Sequence, residues 1–239
     1  MLELVKTADG SNTIYNSRVG ENYHSKHGAL QESRHVFVNA GLCYYLDNMR
    51  SSKVSPTGGD LEGASEGARV SILEVGFGTG LNFLLTADEC SAKKIFLDYT
   101  GIEAYPLTAE MISQTGYNQY VSPAIWQGFV RHYMELLKGP MMVNTCCQLQ
   151  ITHCQLLDFN SEKEFDIIYY DAFAAASQPA MWDEAAIAHT IQFLKLGGVF
   201  VTYAITGNLK RILKALNCNG EKLPGAPGKR EMLRAVKQS

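Results

Sequence analysis

The sequence predicts an α/β protein built around a doubly wound, mostly parallel sheet. Short β-rich runs alternate with segments of helical length, and a glycine-rich turn follows the first of those runs. Of the 239 residues, 46% are hydrophobic, which is ample for a sizeable core. In sheets of this kind ligands bind beyond the carboxyl ends of the strands, so the loops after the strands are expected to carry the chemistry.

Strands and helices are predicted to alternate from residue 70 onward. The predicted strands are Val70–Val75, Lys94–Glu103, Leu149–Thr152, Phe165–Tyr170 and Gly198–Ala204. The predicted helices are Leu81–Cys90, one opening after Pro106-Leu107-Thr108, Ser122–Leu137, Trp182–Leu194 and Asn208–Leu216. Strands separated by helices form βαβ units, and these units predict the parallel sheet.

The segment Ser51–Gly67 differs in composition from the rest of the chain. It is rich in Ser and Gly and nearly free of large apolar side chains, so it predicts a flexible connector. The expected organisation has three parts: an N-terminal extension over residues 1–50 that packs on the catalytic domain, a flexible loop over residues 51–69, and the catalytic domain over residues 70–239.

Composition argues against several classes of protein. No apolar run reaches the roughly eighteen residues of a membrane span, and the charged first twenty residues lack a signal-peptide core, which favours a cytoplasmic protein. The six cysteines form no C-x-x-C pair and the histidines no H-E-x-x-H motif, so no metal site is expected. With a net charge of −3, a nucleic-acid partner would have to bind a local basic patch.

Three glycines follow the first predicted strand at alternate positions: Gly76, Gly78 and Gly80 in "EVGFGTG". Glycine permits positive φ and close approach of a ligand, and the next helix presents free N–H groups. The spacing is not the G-x-G-x-x-G of pyrophosphate-binding dehydrogenases; with Glu74 before it, it resembles motif I of class I S-adenosylmethionine-dependent methyltransferases. Glu103 ends the next strand, where an acidic side chain can accept both ribose hydroxyls of such a ligand.

Two weaker features follow along the chain in the order expected of such methyltransferases. Asp171 ends the predicted strand Phe165–Tyr170, where many such methyltransferases place a polar residue that faces the substrate. The stretch Leu194-x-x-Gly197-Gly198 is typical of the start of their fifth strand.

Longer stretches resemble one family, the methyltransferase domain of MnmC. They are "LEVGFGTGLNFL" (73–84), "IEAYPLT" (102–108), "DAFAAASQPAMW" (171–182), "LPGAPGKREMLRA" (223–235) and the N-terminal "YHSKHGALQESRHVFVNAGL" (23–42). The resemblance implies a Rossmann-like class I fold and S-adenosyl-L-methionine as cofactor. It also implies methylation of the 5-aminomethyl group on the wobble uridine of the tRNA anticodon loop. Because the sequence ends at Ser239, we expect a stand-alone form without the family's oxidase domain, with a separate enzyme supplying the amine.

Carried over residue by residue, the resemblance implies a set of site residues. The expected cofactor-binding residues are Glu32, Glu74, Gly76, Gly78, Thr79, Gly80, Asn82, Glu103, Ala104, Cys154 and Asp171. At the adenine position the family usually has Gly-Asp, whereas this chain has His153-Cys154-Gln155, so a backbone contact or Gln155 is expected to substitute.

Asp171 is the expected catalytic residue, because an amine nucleophile must be oriented and must lose its proton before transfer. Phe173 is expected to stack on the uracil ring. Two basic groups form the candidate phosphate-binding patches: Lys210, Arg211 and Lys214, then Lys229, Arg230 and Arg234, of which Lys229 and Arg230 are the predicted substrate contacts. Two alternatives remain open at this level: a small-molecule amine methyltransferase on the same fold, and a non-catalytic cofactor-binding module.

Overall fold

A computed structural model describes residues 1–53 and 68–238. The chain begins with a three-stranded antiparallel sheet in the order β1-β2-β3, in which Leu4 pairs with Ile14. Its strands are β1 (Leu2–Lys6), β2 (Asn12–Asn16) and β3 (Glu21–Asn22). This sheet was not among the predicted elements, since its short strands alternate only weakly between apolar and polar residues.

A continuous helical stretch follows. It consists of α1 (Ala29–Ser33), a π-helical segment (Arg34–Cys43) and α2 (Tyr44–Lys53). The π-helical segment packs against the main sheet so closely that a Cβ on Gly41 would lie 2.8 Å from the ring of Tyr169. The first three residues of the predicted loop 51–69 continue α2, and residues 54–67 of that loop lie outside the described residues.

The main sheet has eight strands in the order β10-β11-β9-β8-β4-β5-β7-β6. They are β4 (Arg69–Val75), β5 (Phe96–Glu103), β6 (Met141–Asn144), β7 (Cys147–His153), β8 (Phe165–Tyr170), β9 (Leu194–Thr202), β10 (Cys218–Pro224) and β11 (Glu231–Lys237). The five central strands from β7 to β9 are parallel, whereas β6, β10 and β11 run antiparallel to their neighbours. The predicted doubly wound sheet is confirmed, and the three antiparallel strands are additions to it.

Helices cover both faces of this sheet. They are α3 (Leu81–Ala92), α4 (Ala109–Gln114), α5 (Pro123–Leu136), α6 (Glu184–Ile191) and α7 (Gly207–Ala215). Phe83 of α3 and Phe129 of α5 pack in one core with the N-terminal helices, and Ile187 and Leu213 pack in a second core on the opposite face. Among the described residues, no helix combines the length and apolar character needed to cross a bilayer.

Capping residues explain where several helices begin. The side chains of Thr108, Asp183 and Thr206 accept hydrogen bonds from the first turns of α4, α6 and α7. The cap at Asp183 also corrects one prediction: Trp182 ends a separate 3₁₀ turn and is not part of α6. Strand β9 likewise begins at Leu194, four residues before the predicted Gly198, because the Leu-x-x-Gly-Gly stretch is itself extended.

Candidate functional site

One cavity lies at the carboxyl edge of the parallel strands. It encloses about 840 Å³ including its open mouth. Its walls come from the loops after β4, β5, β7 and β8, at the strand ends where the chemistry is expected, together with the N-terminal segment. They include Tyr23, His24, Gly76, Gly78, Glu103, Ala104, Tyr105, Cys154, Gln155, Asp171, Ala172, Phe173 and Met181.

The glycine loop fits against its neighbours only because it lacks side chains. Gly76 has φ +86°, and a Cβ there would lie 2.5 Å from the backbone oxygen of Asp171. Gly78 has φ +52°, and a Cβ there would lie 2.7 Å from the ring of Tyr23. Both positions therefore need glycine for backbone conformation and for space.

Glu103 ties this loop to the one after β5. Its Oε2 accepts a hydrogen bond from the Gly78 N–H at 2.8 Å, and its Oε1 accepts one from the Tyr105 N–H at 2.9 Å. Burial raises the pKa of Glu103, while these backbone N–H groups oppose the rise. The carboxylate is thereby held at the cavity wall with lone pairs left to accept further donors.

Behind the loop, a chain of polar side chains leads from the core to the cavity. The Tyr99 hydroxyl donates to Glu74 Oε2 at 2.8 Å, and the Asn82 amide donates to Glu74 Oε1 at 2.7 Å and to Asp171 Oδ2 at 2.8 Å. Glu74 is fully buried, so burial, and next to it the charge of Asp171, raises its pKa well above the ordinary value. Asn82 thus uses one amide group to hold two carboxyl groups in place.

A second cleft opens on the other side of Asp171 and encloses about 880 Å³ including its mouth. The two cavities share Tyr23, His24, Asp171, Ala172 and Phe173. The rings of Tyr23 and Phe173 meet edge to face with centroids 5.1 Å apart, at the boundary between the cavities. Asp171 is therefore accessible from both sides.

An ion pair between residues from the N-terminal and C-terminal parts of the chain also lines this second cleft. Lys229 Nζ lies 2.7 Å from Glu32 Oε1 and 3.5 Å from the centroid of the Tyr203 ring. Glu32 Oε2 also accepts a hydrogen bond from the Ser25 N–H at 2.7 Å. Burial, together with the nearby Glu32 carboxylate, raises the pKa of Asp171 to about 8.

His24 fixes the N-terminal segment over the glycine loop. Its Nε2 lies 2.8 Å from Thr79 Oγ1, which also accepts a hydrogen bond from the Tyr117 hydroxyl at 3.2 Å. Burial lowers the pKa of His24 to about 4, so the imidazole is neutral at pH 7. His24 is not among the site residues predicted from the sequence, and the signal for its place here was its position inside the motif that begins at Tyr23.

The structure places the predicted site residues in three groups. Those that line the first cavity are Gly76, Gly78, Glu103, Ala104, Cys154, Asp171 and Phe173. Those that line the second cleft are Glu32, Lys229, Asp171 and Phe173. Those that line neither are Glu74, Thr79, Gly80, Asn82 and the exposed Arg230.

The surroundings of several of these residues bear on their predicted roles. Glu74, Thr79 and Asn82 lie behind the cavity wall, where both Glu74 oxygens, the Thr79 hydroxyl and the Asn82 amide nitrogen bond to other protein groups. Glu32 and Lys229 line the second cleft and not the first cavity. Arg234 leaves the predicted patch altogether, since it is buried, donates to Glu221 at 2.7 Å and stacks on Tyr44.

The first cavity has the features that S-adenosylmethionine requires. The glycine loop lets a flat ligand approach the backbone, the Glu103 carboxylate can accept two hydroxyl donors, and apolar walls from Ile102 and Leu156 flank the space between them. The Glu103 carboxylate, and Asp171 when it is ionised, make the cavity attractive to a cation.

Comparison with known proteins agrees with this assignment. A family model described as S-adenosyl-L-methionine-dependent methyltransferase matches residues 121–238. The chain is 28% identical over 92% of its length to the tRNA 5-methylaminomethyl-2-thiouridine biosynthesis bifunctional protein MnmC of Leptospira borgpetersenii. It is 27% identical over 97% of its length to the MnmC of Aromatoleum aromaticum. The chain spans about one third of the length of these relatives, 33% and 34%.

Among solved structures, the crystal structure of MnmC2 from Aquifex aeolicus superposes with a TM-score of 0.74 at 20% identity, covering 99% of this chain and 70% of that one. That superposition supports the fold. The family model and the two MnmC relatives, which are similar along nearly the whole chain, both point to S-adenosylmethionine-dependent methyltransferases, which this chain resembles in sequence and in its class I fold.

Proposed function

We propose that this domain methylates the 5-aminomethyl group of the wobble uridine in tRNA. The observation that carries the proposal is the position of Asp171, which lies where the cofactor-type cavity and the second cleft meet. A donor in one cavity and an amine in the other would face each other across this side chain. The named role of the MnmC relatives in tRNA 5-methylaminomethyl-2-thiouridine biosynthesis supports the choice of substrate.

The residues of the first cavity suit the parts of the cofactor. Gly76, Gly78 and Ala104 present backbone at the cavity wall, and Glu103 is placed to accept the ribose hydroxyls. Cys154 and Gln155 line the end where the family's acid is replaced, and Gln155 Nε2 lies 3.5 Å from the Tyr105 hydroxyl, so Gln155 is the proposed partner of the adenine edge. When bound, S-adenosylmethionine supplies a methyl group on a sulfonium, which an uncharged amine can attack.

Asp171 is proposed to remove the proton that keeps the amine unreactive. Proton transfer from an alkylammonium with a pKa of about 10.4 to an ordinary aspartate costs roughly 9 kcal/mol. Because the pKa of Asp171 is raised to about 8, the same transfer costs roughly 3 kcal/mol. Asn82 keeps the carboxylate oriented while it accepts the proton.

The surface around the cleft supplies sites for RNA. Phe173 lines both cavities and is the proposed stacking platform for the target base. Lys210, Arg211 and Lys214 are exposed on α7, which follows β9 at the same edge of the sheet, and they are the proposed phosphate contacts together with the exposed Arg230. The reaction needs a free amine, so the proposal includes a separate activity that exposes it.

The test is transfer of labelled methyl from S-adenosylmethionine to tRNA that carries 5-aminomethyluridine, beside the unmodified transcript. Asp171→Asn is compared with Glu162→Gln, a change at an exposed carboxylate outside both cavities. We expect label only in the aminomethylated tRNA, lost in Asp171→Asn and retained in Glu162→Gln.

The other outcomes separate the alternatives. Label in small amines but not in tRNA would overturn the tRNA assignment in favour of a small-molecule methyltransferase. Cofactor binding by calorimetry without any transfer would instead support a non-catalytic binding module.

A further inference from the structure

Charged side chains of both signs line the second cleft: the carboxylates of Glu21, Glu32 and Asp171 and the ammonium groups of Lys26 and Lys229. The aromatic rings of Phe173 and Tyr203 line the same space. A mixed set of this kind does not suit a phosphate, which the carboxylates would repel, or a simple cation, which the ammonium would repel. It suits a planar group with hydrogen-bond donors and an acceptor along one edge.

Lys26 is exposed, and Glu21 is engaged by the Ala174 N–H and the Ser177 hydroxyl. The other three charged groups, Asp171, Glu32 and Lys229, are not exposed and are held by the protein before any substrate arrives. Asp171 accepts from the Asn82 amide at 2.8 Å, and Glu32, only 5% exposed, accepts from the Ser25 N–H at 2.7 Å. Lys229 is held by its ion pair with Glu32 and by the Tyr203 ring. A site whose donors and acceptors are fixed in advance discriminates more sharply than one that must order on binding.

These groups retain unused hydrogen-bonding capacity. A carboxylate has about four acceptor sites, of which Glu32 uses two in the contacts above and Asp171 one. The Lys229 ammonium has three donors, of which one points to Glu32. These three groups therefore offer two acceptors and one donor to a ligand.

We infer that Lys229 and Glu32 read the Watson–Crick side of the target uracil while Asp171 binds its aminomethyl group. Along the C5–C4–N3 edge, a 5-aminomethyluracil presents an amine donor, the O4 acceptor and the N3–H donor. The Asp171 carboxylate would accept from the amine, the Lys229 ammonium would donate to O4, and the Glu32 carboxylate would accept from N3–H. This inference rests on the proposed function and adds to it the groups that recognise the base.

The same pattern rejects cytosine. A 5-aminomethylcytosine presents an amino donor at C4 and an acceptor at N3, so the ammonium would face a donor and the Glu32 carboxylate would face a lone pair. Mismatches of this kind leave charged groups without hydrogen-bond partners. A good two-point contact to a base favours the matching base over the wrong one by roughly tenfold or more. Position 2 of the ring takes no part, so uridine and 2-thiouridine are expected to be recognised alike.

The experiment compares two anticodon stem-loops that differ only in the target nucleoside, 5-aminomethyluridine or 5-aminomethylcytidine. Binding to the protein loaded with S-adenosylhomocysteine is measured by fluorescence anisotropy, and kcat/KM for methyl transfer is measured with S-adenosylmethionine. The variants are Lys229→Met, the paired change Glu32→Gln with Lys229→Met, and Lys138→Met as a control at an exposed lysine outside both cavities. The paired variant is included because Lys229→Met alone leaves the buried Glu32 carboxylate uncompensated.

We expect the wild type and Lys138→Met to prefer the uridine loop by roughly tenfold or more in both measurements. In both Lys229→Met and the paired variant the ratio should fall toward one. Equal use of both loops by the wild type, or an unchanged ratio in the folded paired variant, would overturn the inference while leaving the proposed function standing. Transfer to neither loop by the wild type would overturn the proposed function itself.

Discussion

The amide of Asn82 donates a 2.8 Å hydrogen bond to Asp171, and the same amide nitrogen lies 2.7 Å from the fully buried Glu74. Two carboxyl groups that would otherwise repel each other are thus joined by one neutral side chain. The arrangement couples the hydrophobic core to the reactive edge of the sheet, because any change at Asn82 alters the electrostatic environment of Asp171.

Replacement of Asn82 by Ala should therefore shift the pH dependence of methyl transfer. The hydrogen bond from Asn82 lowers the pKa of Asp171, so its loss should raise that pKa above the wild-type value of about 8. A hydrogen bond to a charged group contributes roughly 1.5–3 kcal/mol, so the acid limb of the kcat/KM profile should move up by about one to two pH units. Asn219→Ala, at an exposed position on β10, is the control; an unshifted profile in Asn82→Ala would contradict the coupling.

Asp171 should also make folding stability depend on pH. Its pKa is raised to about 8 in the folded state, against about 3.9 when unfolded, so the folded state binds more protons between these values. Its favourable contribution is fully present below about pH 4 and is lost as pH rises through about 8. Asp171→Asn cannot ionise at this position. Its free energy of unfolding, measured with urea, should therefore increase relative to that of the wild type from about pH 5 to pH 8, and the difference should stay constant above pH 8. A constant difference between the two proteins would count against the raised pKa.

Gly76→Ala should weaken cofactor binding. The added Cβ would lie 2.5 Å from the backbone oxygen of Asp171, and φ of +86° is unfavourable for alanine, so the loops after β4 and β8 would have to separate. We expect a loss of stability of about 1–3 kcal/mol and at least a tenfold weaker affinity for S-adenosylhomocysteine by calorimetry. Gly139→Ala is the matched control, because nothing lies within 4 Å of its added Cβ and its φ is not positive. Ordinary affinity in folded Gly76→Ala would show that the ligand does not depend on this loop geometry.

Replacing Lys210 and Lys214 of α7 by Glu should weaken tRNA binding and also make the remaining affinity depend less on salt concentration. Lys210 and Lys214 are exposed, and removing one phosphate-binding lysine should reduce the slope of log K against log salt by about one. The double change to Glu is compared with Lys138→Glu, at an exposed lysine beyond the end of α5, by anisotropy at several salt concentrations. An unchanged slope in the α7 variant would place the RNA on another face of the domain.

Much of the fold and part of the site were predictable because they depend on local pattern. The alternation of apolar runs with segments of helical length predicted the five parallel strands. The strand ends, where the topology places ligand-binding loops, carry the glycines, Glu103 and Asp171. The antiparallel strands β6, β10 and β11 were not predicted, since their formation depends on the strands that they pair with in the sheet more than on their own sequence.

The sequence by itself determined the doubly wound sheet, the glycine loop and the acidic residues at the strand ends, because period, glycine and capping act over a few residues. Only the tertiary structure decided that Glu32 and Lys229, far apart along the chain, form a 2.7 Å ion pair in one cleft, and that Arg234 is buried. It also decided that Asp171 has a pKa of about 8. Such properties depend on burial and on charges from other elements, which the order of residues along the chain does not reveal.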